Sequence, residues 1–249
     1  MNYIEIITIY GLIFGMLGTT LGGFIGAFCN IHSNKFLSFV LEFASGLMTA
    51  IICFDLIPEA LEYSNISECI IGIVIGVFTM IICDELVNKI NFSRQNVQDN
   101  QLLKTGMIIC LGLAIHNFPE GLAIGSGFDA SIKLGLSLAI AIAIHDVPEG
   151  ISIALPINSS GYGRTKAIVL TALSGVTTGI GAFFGAIVGN LSKEFVGLSL
   201  AFAAGAMLYI VSCELLPQSN QLYKGRFSSF GNIAGIIFGI LAKIIIWKL

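Results

Sequence analysis

The sequence predicts an all-α membrane protein of eight transmembrane helices, in which helices 1–3 are related to helices 6–8 and helix 4 is related to helix 5. Three observations lead to this fold class: the composition, a series of apolar segments and an internal repeat. Hydrophobic residues make up 55% of the chain and charged residues only 11%, with a mean hydropathy of +0.91. Because a soluble domain carries about 25% charged residues, most of this surface does not face water.

Eight stretches of the chain are long and apolar enough to cross a bilayer as helices, which takes about 20 residues each. The breaks between them are short, and the longest, about 91–103, is predicted as a cytoplasmic loop. The chain of 249 residues therefore forms a single transmembrane domain over 1–249, with no room for a soluble domain. The predicted spans are 4–28, 36–61, 68–90, 104–126, 131–155, 165–189, 194–217 and 228–248.

The distribution of Lys and Arg predicts that both termini face outside, because cytoplasmic loops are enriched in these residues. Eight of the twelve lie in the first, third, fifth and seventh loops. Lys133, Lys193 and Lys248 lie on the opposite side, and Lys243 lies late in the last span. The eight on the cytoplasmic side are Lys35, Lys89, Arg94, Lys104, Arg164, Lys166, Lys224 and Arg226.

An internal repeat relates spans in opposite halves of the chain. The second span reads FASGLMTAIICFDLIPEAL from Phe43, and the seventh reads FAAGAMLYIVSCELLPQSN from Phe202. The fourth and fifth spans share a shorter repeat, HNFPEG from His116 and HDVPEG from His145. By the predicted orientation, the spans of each pair run in opposite directions. Inverted repeats of this kind are typical of transporters whose substrate binds near the bilayer midplane.

Each short motif carries a His and a Glu four residues apart: His116 with Glu120, and His145 with Glu149. Residues at this spacing lie on one face of a helix, about one turn apart. Two such helices packed together offer two imidazoles and two carboxylates, a set suited to Zn²⁺ or a similar borderline metal. The alternative reading is a set of buried ion pairs that only hold the helices together.

Asn117 and Asp146 follow the two histidines and supply further oxygen atoms, rotated by about 100° round their helices. They predict a position for a second ion, with the two glutamates as bridging ligands. Pro119 and Pro148 each remove a backbone donor, so the carbonyl group four residues earlier loses its usual partner and can face a cavity.

Polar residues of the second and seventh spans predict a path for the ion. Asp55 lies toward the outer end of the second span, and Glu214, which aligns with it, lies toward the inner end of the seventh. We interpret them as entry and exit stations, with Cys213 as a soft neighbour of the exit. Met48 is a candidate soft ligand, although a lone Met is more often a packing residue. No Lys or Arg is expected near the carboxylates, which must then be protonated or hold cations.

Two rival functions would use the same residues. An intramembrane metalloenzyme would activate water on the metal, but catalysis has no use for an inverted repeat. A metal-gated channel or sensor is not distinguished from a carrier by the residues alone. We therefore predict a transporter and not an enzyme.

The HNFPEG and HDVPEG motifs, the eight spans, the outside termini and the cytoplasmic third loop resemble the ZIP (Zrt/Irt-like protein) family of divalent metal transporters, in its bacterial branch. The resemblance covers essentially the whole chain. It implies zinc uptake into the cytoplasm by alternating access, with spans 1, 4, 5 and 6 moving against spans 2, 3, 7 and 8. It also implies acceptance of Fe²⁺, Mn²⁺ or Cd²⁺, a homodimer, and a location in the plasma membrane, the bacterial inner membrane. No nucleic-acid partner and no resident cofactor are expected.

The resemblance also assigns ligands position by position. This chain departs from the family in span 6, where Thr178 replaces a Glu and weakens the secondary site, and in span 7, where Cys213 replaces a His. The third loop has no His. The implied principal site is Met48, His116, Glu120, His145 and Glu149, and the implied secondary site is Asn117, Glu120, Asp146 and Glu149.

Overall fold

The computed structural model describes residues 2–28, 33–89, 98–159, 161–189 and 192–248. Within these ranges every regular element is helical, and the helices form eight successive rods. Seven rods have the length and hydropathy of membrane spans. The remaining rod is a helix of 33 residues, about 50 Å long at 1.5 Å per residue, which also suffices to cross a bilayer. The prediction of an all-helical membrane protein is confirmed.

Five of the rods are single helices and three are interrupted. The second and seventh rods each contain a π-helical segment of five residues, and the sixth is broken at Gly175. In chain order the elements are α1 Tyr3–Phe28, α2 Asn34–Ile51, π1 Ile52–Leu56, α3 Ile57–Tyr63, α4 Ile66–Lys89, α5 Gln98–Ala130, α6 Ile132–Ser159, α7 Arg164–Ser174, α8 Val176–Gly189, α9 Lys193–Ile210, π2 Val211–Leu215, α10 Leu216–Leu222 and α11 Phe227–Lys248.

The predicted spans fall on these rods, but some helices extend beyond the apolar stretch. α5 begins at Gln98, so residues 98–103 of the predicted cytoplasmic loop are helical, and the location of this stretch on the cytoplasmic side stays a prediction. Hydropathy marks only the apolar part of a helix, whereas polar residues such as Gln and Lys are good helix formers in water. The first part of that loop, residues 91–97, lies outside the described residues.

Prolines account for the two π-helical segments. Pro58 and Pro217 have no N–H, so neither can donate to the carbonyl group four residues earlier. In π1 the turn widens, and the Ile57 N–H donates to the Ile52 carbonyl, five residues back. Pro58 thereby leaves the Phe54 carbonyl without its usual α-helical donor.

The second and seventh rods correspond element by element. The 159 residues that separate Phe43 from Phe202 also separate the ends of α2, π1 and α3 from those of α9, π2 and α10. The helix starts correspond as well, because the Ser33 hydroxyl accepts a hydrogen bond from a backbone N–H three residues on and Ser192 does the same. The repeat therefore includes where these helices begin, widen and end.

Contacts between helices recur with the same separation. Gly76 of α4 lies against the Phe202 carbonyl oxygen, and Gly235 of α11 lies against the Phe43 carbonyl oxygen. A Cβ added to either glycine would lie 2.1 Å from that oxygen, so only glycine allows the backbones to approach this closely. The correspondence thus extends to the third and eighth rods.

The rods pack into two groups around the motif helices. One group is α1, α5, α6 and the α7–α8 rod. In the other group, α11 packs along the α2–α3 rod and α4 packs along the α9–α10 rod. α5 and α6 pack against each other, and each also contacts the second group, α5 through α9 and α6 through α2. The two motifs therefore lie at the centre of the molecule.

Candidate metal centre

The two motifs place four possible metal ligands at one point between α5 and α6. One ligand atom from each of His116, Glu120, His145 and Glu149 lies within 4.8 Å of all the others. All four side chains are buried, with at most 1% of each exposed. The helical spacing of four residues brings His and Glu of one motif together, and the packing of α5 on α6 brings the two motifs together.

The imidazole nitrogens face carboxylate oxygens across this centre. His116 Nε2 lies 3.2 Å from Glu120 Oε1 and 3.2 Å from Glu149 Oε1. His145 Nε2 lies 2.7 Å from Glu120 Oε1, and this contact has the geometry of a hydrogen bond. Glu120 thus stands between the two histidines, one from its own helix and one from α6.

Most polar atoms of the centre have no hydrogen bond within the described part of the chain. These include His116 Nε2, Glu120 Oε2 and both carboxylate oxygens of Glu149. His116 Nε2 and Glu149 Oε1 are close, but the contact is not aligned as a hydrogen bond. Because an unsatisfied buried polar group costs about 1–3 kcal/mol, a set of ion pairs would be expected to hydrogen-bond fully. Converging, unsatisfied lone pairs fit a cation instead.

Asn117 and Asp146 lie beside the centre, as their positions in the motifs predict. Asn117 Nδ2 donates to the Ser174 carbonyl oxygen at 3.0 Å, and its Oδ1 has no hydrogen bond among the described residues. Asp146 Oδ1 lies 3.5 Å from His145 Nε2, and neither oxygen of this carboxylate accepts a hydrogen bond from the described part of the chain. Both side chains are fully buried. Their free oxygens are available to a second ion.

Met48 is fully buried on α2, in the rod that packs against α6. It belongs to the large apolar core that also includes Leu47 and Ile51. This placement suits both a packing residue and a sulfur ligand. Its assignment to the principal site stays a prediction.

Thr178 lies just after the break between α7 and α8, at the position where the resemblance expects a Glu. Its side chain is fully buried, and its hydroxyl has no hydrogen bond within the described residues. The break is closely packed against α1 and requires glycine, because a Cβ on Gly175 would lie 2.6 Å from the Gly15 carbonyl oxygen. Thr178 is thus an uncharged residue in a buried position.

Asp55 forms an ion pair with Lys243. The prediction that no Lys or Arg lies near the carboxylates is therefore wrong for this residue. Asp55 Oδ1 lies 3.0 Å from Lys243 Nζ, which also donates a hydrogen bond to the Phe54 carbonyl oxygen. Sequence reasoning missed the pair because Asp55 and Lys243 are far apart in the chain. Only the packing of α11 along α2 brings them together.

Glu214 and Cys213 lie on π2 and are not among the four clustered residues, although Glu214 lies within electrostatic reach of His116 and Glu149. Cys213 is a free, exposed cysteine, and Glu214 is half-buried. Nearby, the Tyr209 hydroxyl donates to Asp84 Oδ2 at 3.0 Å, which joins α9 to α4. The roles of Glu214 and Cys213 as an exit stay predictions.

Fold and site together define a helical membrane protein in which buried nitrogen and oxygen atoms between the two central helices could bind a cation. The family model of the ZIP zinc transporters matches residues 91–246. The chain is 32% identical to zinc transporter ZupT of Corynebacterium aurimucosum over 88% of this chain and 89% of the relative. It is 30% identical to zinc transporter ZupT of Chlorobium chlorochromatii over 90% and 92%. It is also 41% identical to zinc transporter ZIP11 of Xenopus tropicalis, over 53% of this chain and 41% of that protein.

The chain belongs to the ZIP family of zinc transporters. This assignment confirms the resemblance drawn from the two motifs. It also confirms that the chain is a metal-ion transporter of the membrane and not an enzyme, because the family consists of transporters.

Proposed function

We propose that this protein takes up Zn²⁺ into the cytoplasm through the centre formed by His116, Glu120, His145 and Glu149. The observation that carries the proposal is the convergence of buried, largely unsatisfied nitrogen and oxygen atoms at one point of the two central helices. Imidazole and carboxylate are ligands that Zn²⁺ prefers. Relatives named as zinc transporters support the choice of metal.

The spacing of the ligand atoms supports a tetrahedral ion. With metal–ligand bonds of about 2.0–2.1 Å, the ligands of a tetrahedral Zn²⁺ lie about 3.3 Å from one another. His116 Nε2 lies 3.2 Å from both glutamate oxygens, close to that value. The His145 to Glu120 contact of 2.7 Å is shorter, so this pair must separate slightly when an ion enters. Met48 would add a sulfur ligand, and Asn117 and Asp146 would hold a second ion more weakly.

The correspondence between the second and seventh rods supports an inverted repeat. If both termini face outside and all eight rods cross the bilayer, these two rods run in opposite directions, and the motif helices lie between them. Such repeats place the substrate near the midplane and expose it to either side in turn. Asp55 would then lie at the outer end of the path, and Glu214 with Cys213 at the inner end.

The two packing groups support alternating access. An apolar groove of about 590 Å³ lies between α1 and α6 of one group and α2 of the other, with Phe14, Phe39, Phe43, Ile144 and Pro148 among its lining residues. Among the described residues no hydrogen bond joins α2 to α1 or α6, so these apolar walls resist sliding little. We propose that α1, α5, α6, α7 and α8 move against the other rods and carry the ion with them.

Several finer properties are proposed from the family alone. They are acceptance of Fe²⁺, Mn²⁺ or Cd²⁺, a homodimeric state, and a location in the inner membrane of a bacterium. Competition of each ion with zinc uptake checks the first. The mass of the purified protein in detergent, corrected for bound detergent, checks the second.

Uptake of zinc by proteoliposomes tests the central proposal. We expect His116→Ala and Glu149→Ala each to lower the initial rate at low zinc concentration by more than about tenfold, because even residues beyond the ligands change metal affinity by about 10- to 100-fold. Glu194→Ala, which removes an exposed carboxylate, is the matched control and should transport like wild type. Undiminished uptake in both site variants would refute the assignment.

A further inference from the structure

Lys243 places an ammonium group on the carboxylate that we interpret as the entry station. We propose that Lys243 is a tethered cation that occupies Asp55 in the resting protein and must be displaced by the incoming metal ion, so that Lys243 sets the zinc concentration at which transport is half-maximal. This inference rests on the proposed function, because it takes Asp55 as part of the path.

The ammonium group lies in a position suited to a cation. Its nitrogen is 3.0 Å from Asp55 Oδ1 and also donates to the Phe54 carbonyl oxygen. That carbonyl lacks its usual helical donor because Pro58 has no N–H. A carboxylate and a backbone carbonyl without its helical donor are oxygen ligands that an entering, partly hydrated metal ion would also use. Lys243 and the metal therefore compete for the same atoms.

The ion pair is exposed enough to open. The Lys243 side chain is 27% exposed and that of Asp55 is 9% exposed, so Lys243 is the more accessible partner of the pair. The flexible four-carbon stem of Lys lets its ammonium group move without any movement of α11. Glu59, one turn further along the same rod, lies within electrostatic reach of Lys243 and is half-buried. We infer that Glu59 accepts the ammonium group when metal binds Asp55.

The internal repeat has a lysine at this position in only one of its two halves. The separation of 159 residues relates Asp55 to Glu214, and it relates Lys243 to Asp84. The two acids of the repeated rods are thus retained, whereas a lysine on α11 corresponds to an aspartate on α4. At one end Asp55 is paired with Lys243, whereas the position that corresponds to Lys243 at the other end holds Asp84. The competing cation that we propose is therefore a feature of the entry and is not repeated at the position that corresponds to it.

The alternative is a structural clip, in which Lys243 only holds α11 against α2. A clip and a competing cation differ in their kinetic effects. Loss of a clip would lower the amount of folded protein and the maximal rate. Loss of a competing cation would lower KM for zinc, because Asp55 would be open to the ion from the start.

The experiment measures saturable zinc uptake by proteoliposomes for Lys243→Met, which removes the charge and leaves an unbranched side chain one atom shorter. We expect KM to fall by about two- to fivefold, the scale of one partly exposed ion pair. Lys243→Gln is a second neutral variant and should shift KM in the same direction. Lys243→Arg keeps the charge and should keep the wild-type KM. Lys193→Met removes an exposed lysine elsewhere and is the control for net charge.

A double-mutant cycle with Asp55→Asn identifies the partner. In that background Lys243→Met should leave KM unchanged, since there is no carboxylate left to release. The inference is overturned if both neutral variants transport zinc with the wild-type KM, if Lys193→Met lowers KM equally, or if the effect persists with Asp55→Asn. An absence of saturable zinc uptake in wild type would instead refute the proposed function, and the inference with it.

Discussion

At the scale of single residues, Glu120 is the carboxylate around which the metal centre is arranged. It lies within 3.2 Å of His116 and 2.7 Å of His145, and its second oxygen has no hydrogen bond among the described residues. A bound ion would therefore replace the contacts that Glu120 makes with the two histidines. The proton-bearing and metal-bearing states use the same atoms, so metal binding must release the protons that those atoms hold.

Thr178 explains why the second ion should bind weakly in this chain. We expect Thr178→Glu, measured by equilibrium dialysis with metal analysis, to raise the zinc bound per protein toward two, because it adds a buried carboxylate at the position where the resemblance expects one. Thr178→Gln has similar size without the charge and serves as the control. An equal gain with Gln, or no gain with Glu in a folded protein, would contradict the weak second site.

The grouping of the four candidate ligands could be predicted from the sequence because the spacing of His and Glu fixes their relation within each helix. Other features of the site could not. The ion pair of Asp55 with Lys243 depends on the packing of two rods that are far apart in the chain. Met48 is buried as expected, but a sequence does not state whether a buried sulfur faces a metal or other side chains.

At the scale of elements, the prolines of the second and seventh rods shape the ends of the proposed path. The repeated proline is visible in the sequence, whereas the π-helical turn before it is not, because a proline can also produce a simple bend. The π-turn places Asp55 and Glu214 on segments whose backbone carbonyls are partly freed. Both acids are therefore accompanied by additional oxygen atoms.

Close helix contacts at glycine should be as important in one half of the molecule as in the other. A Cβ on Gly22 would lie 2.1 Å from the Val147 carbonyl oxygen, and a Cβ on Gly181 would lie 2.2 Å from that of Phe118. We expect Gly22→Val and Gly181→Val each to destabilise the fold by about 1–3 kcal/mol, the usual cost of overpacking. Thermal stability in detergent, followed by size-exclusion chromatography, provides the measurement.

Gly112 offers the matched control for these substitutions, because an added Cβ there meets no atom of the described residues within 4 Å. Gly112→Val should change stability by less than about 0.5 kcal/mol, as surface substitutions usually do. Equal losses at all three positions would show that the effect arises from β-branching in a helix. Unchanged stability at Gly22 and Gly181 would contradict the close contacts themselves.

At the scale of the whole molecule, hydropathy located the eight rods because each must present about 20 apolar residues to lipid. It did not locate their ends, since α5 continues into polar sequence at Gln98 and α6 continues to Ser159. The sequence repeat between the second and seventh spans indicated which rods correspond. The two packing groups and the matching glycine contacts depend on how side chains interlock, and became visible only in three dimensions.

An X-ray anomalous difference map, recorded at the zinc edge from crystals grown with Zn²⁺, tests the central claim most directly. We expect the strongest peak between α5 and α6, with His116 and His145 nitrogens about 2.0–2.1 Å away and with Glu120 and Glu149 as the remaining ligands. A weaker peak beside Asn117 and Asp146 would mark the second ion. Strong peaks elsewhere, with none between the two histidines, would contradict a zinc site at this centre.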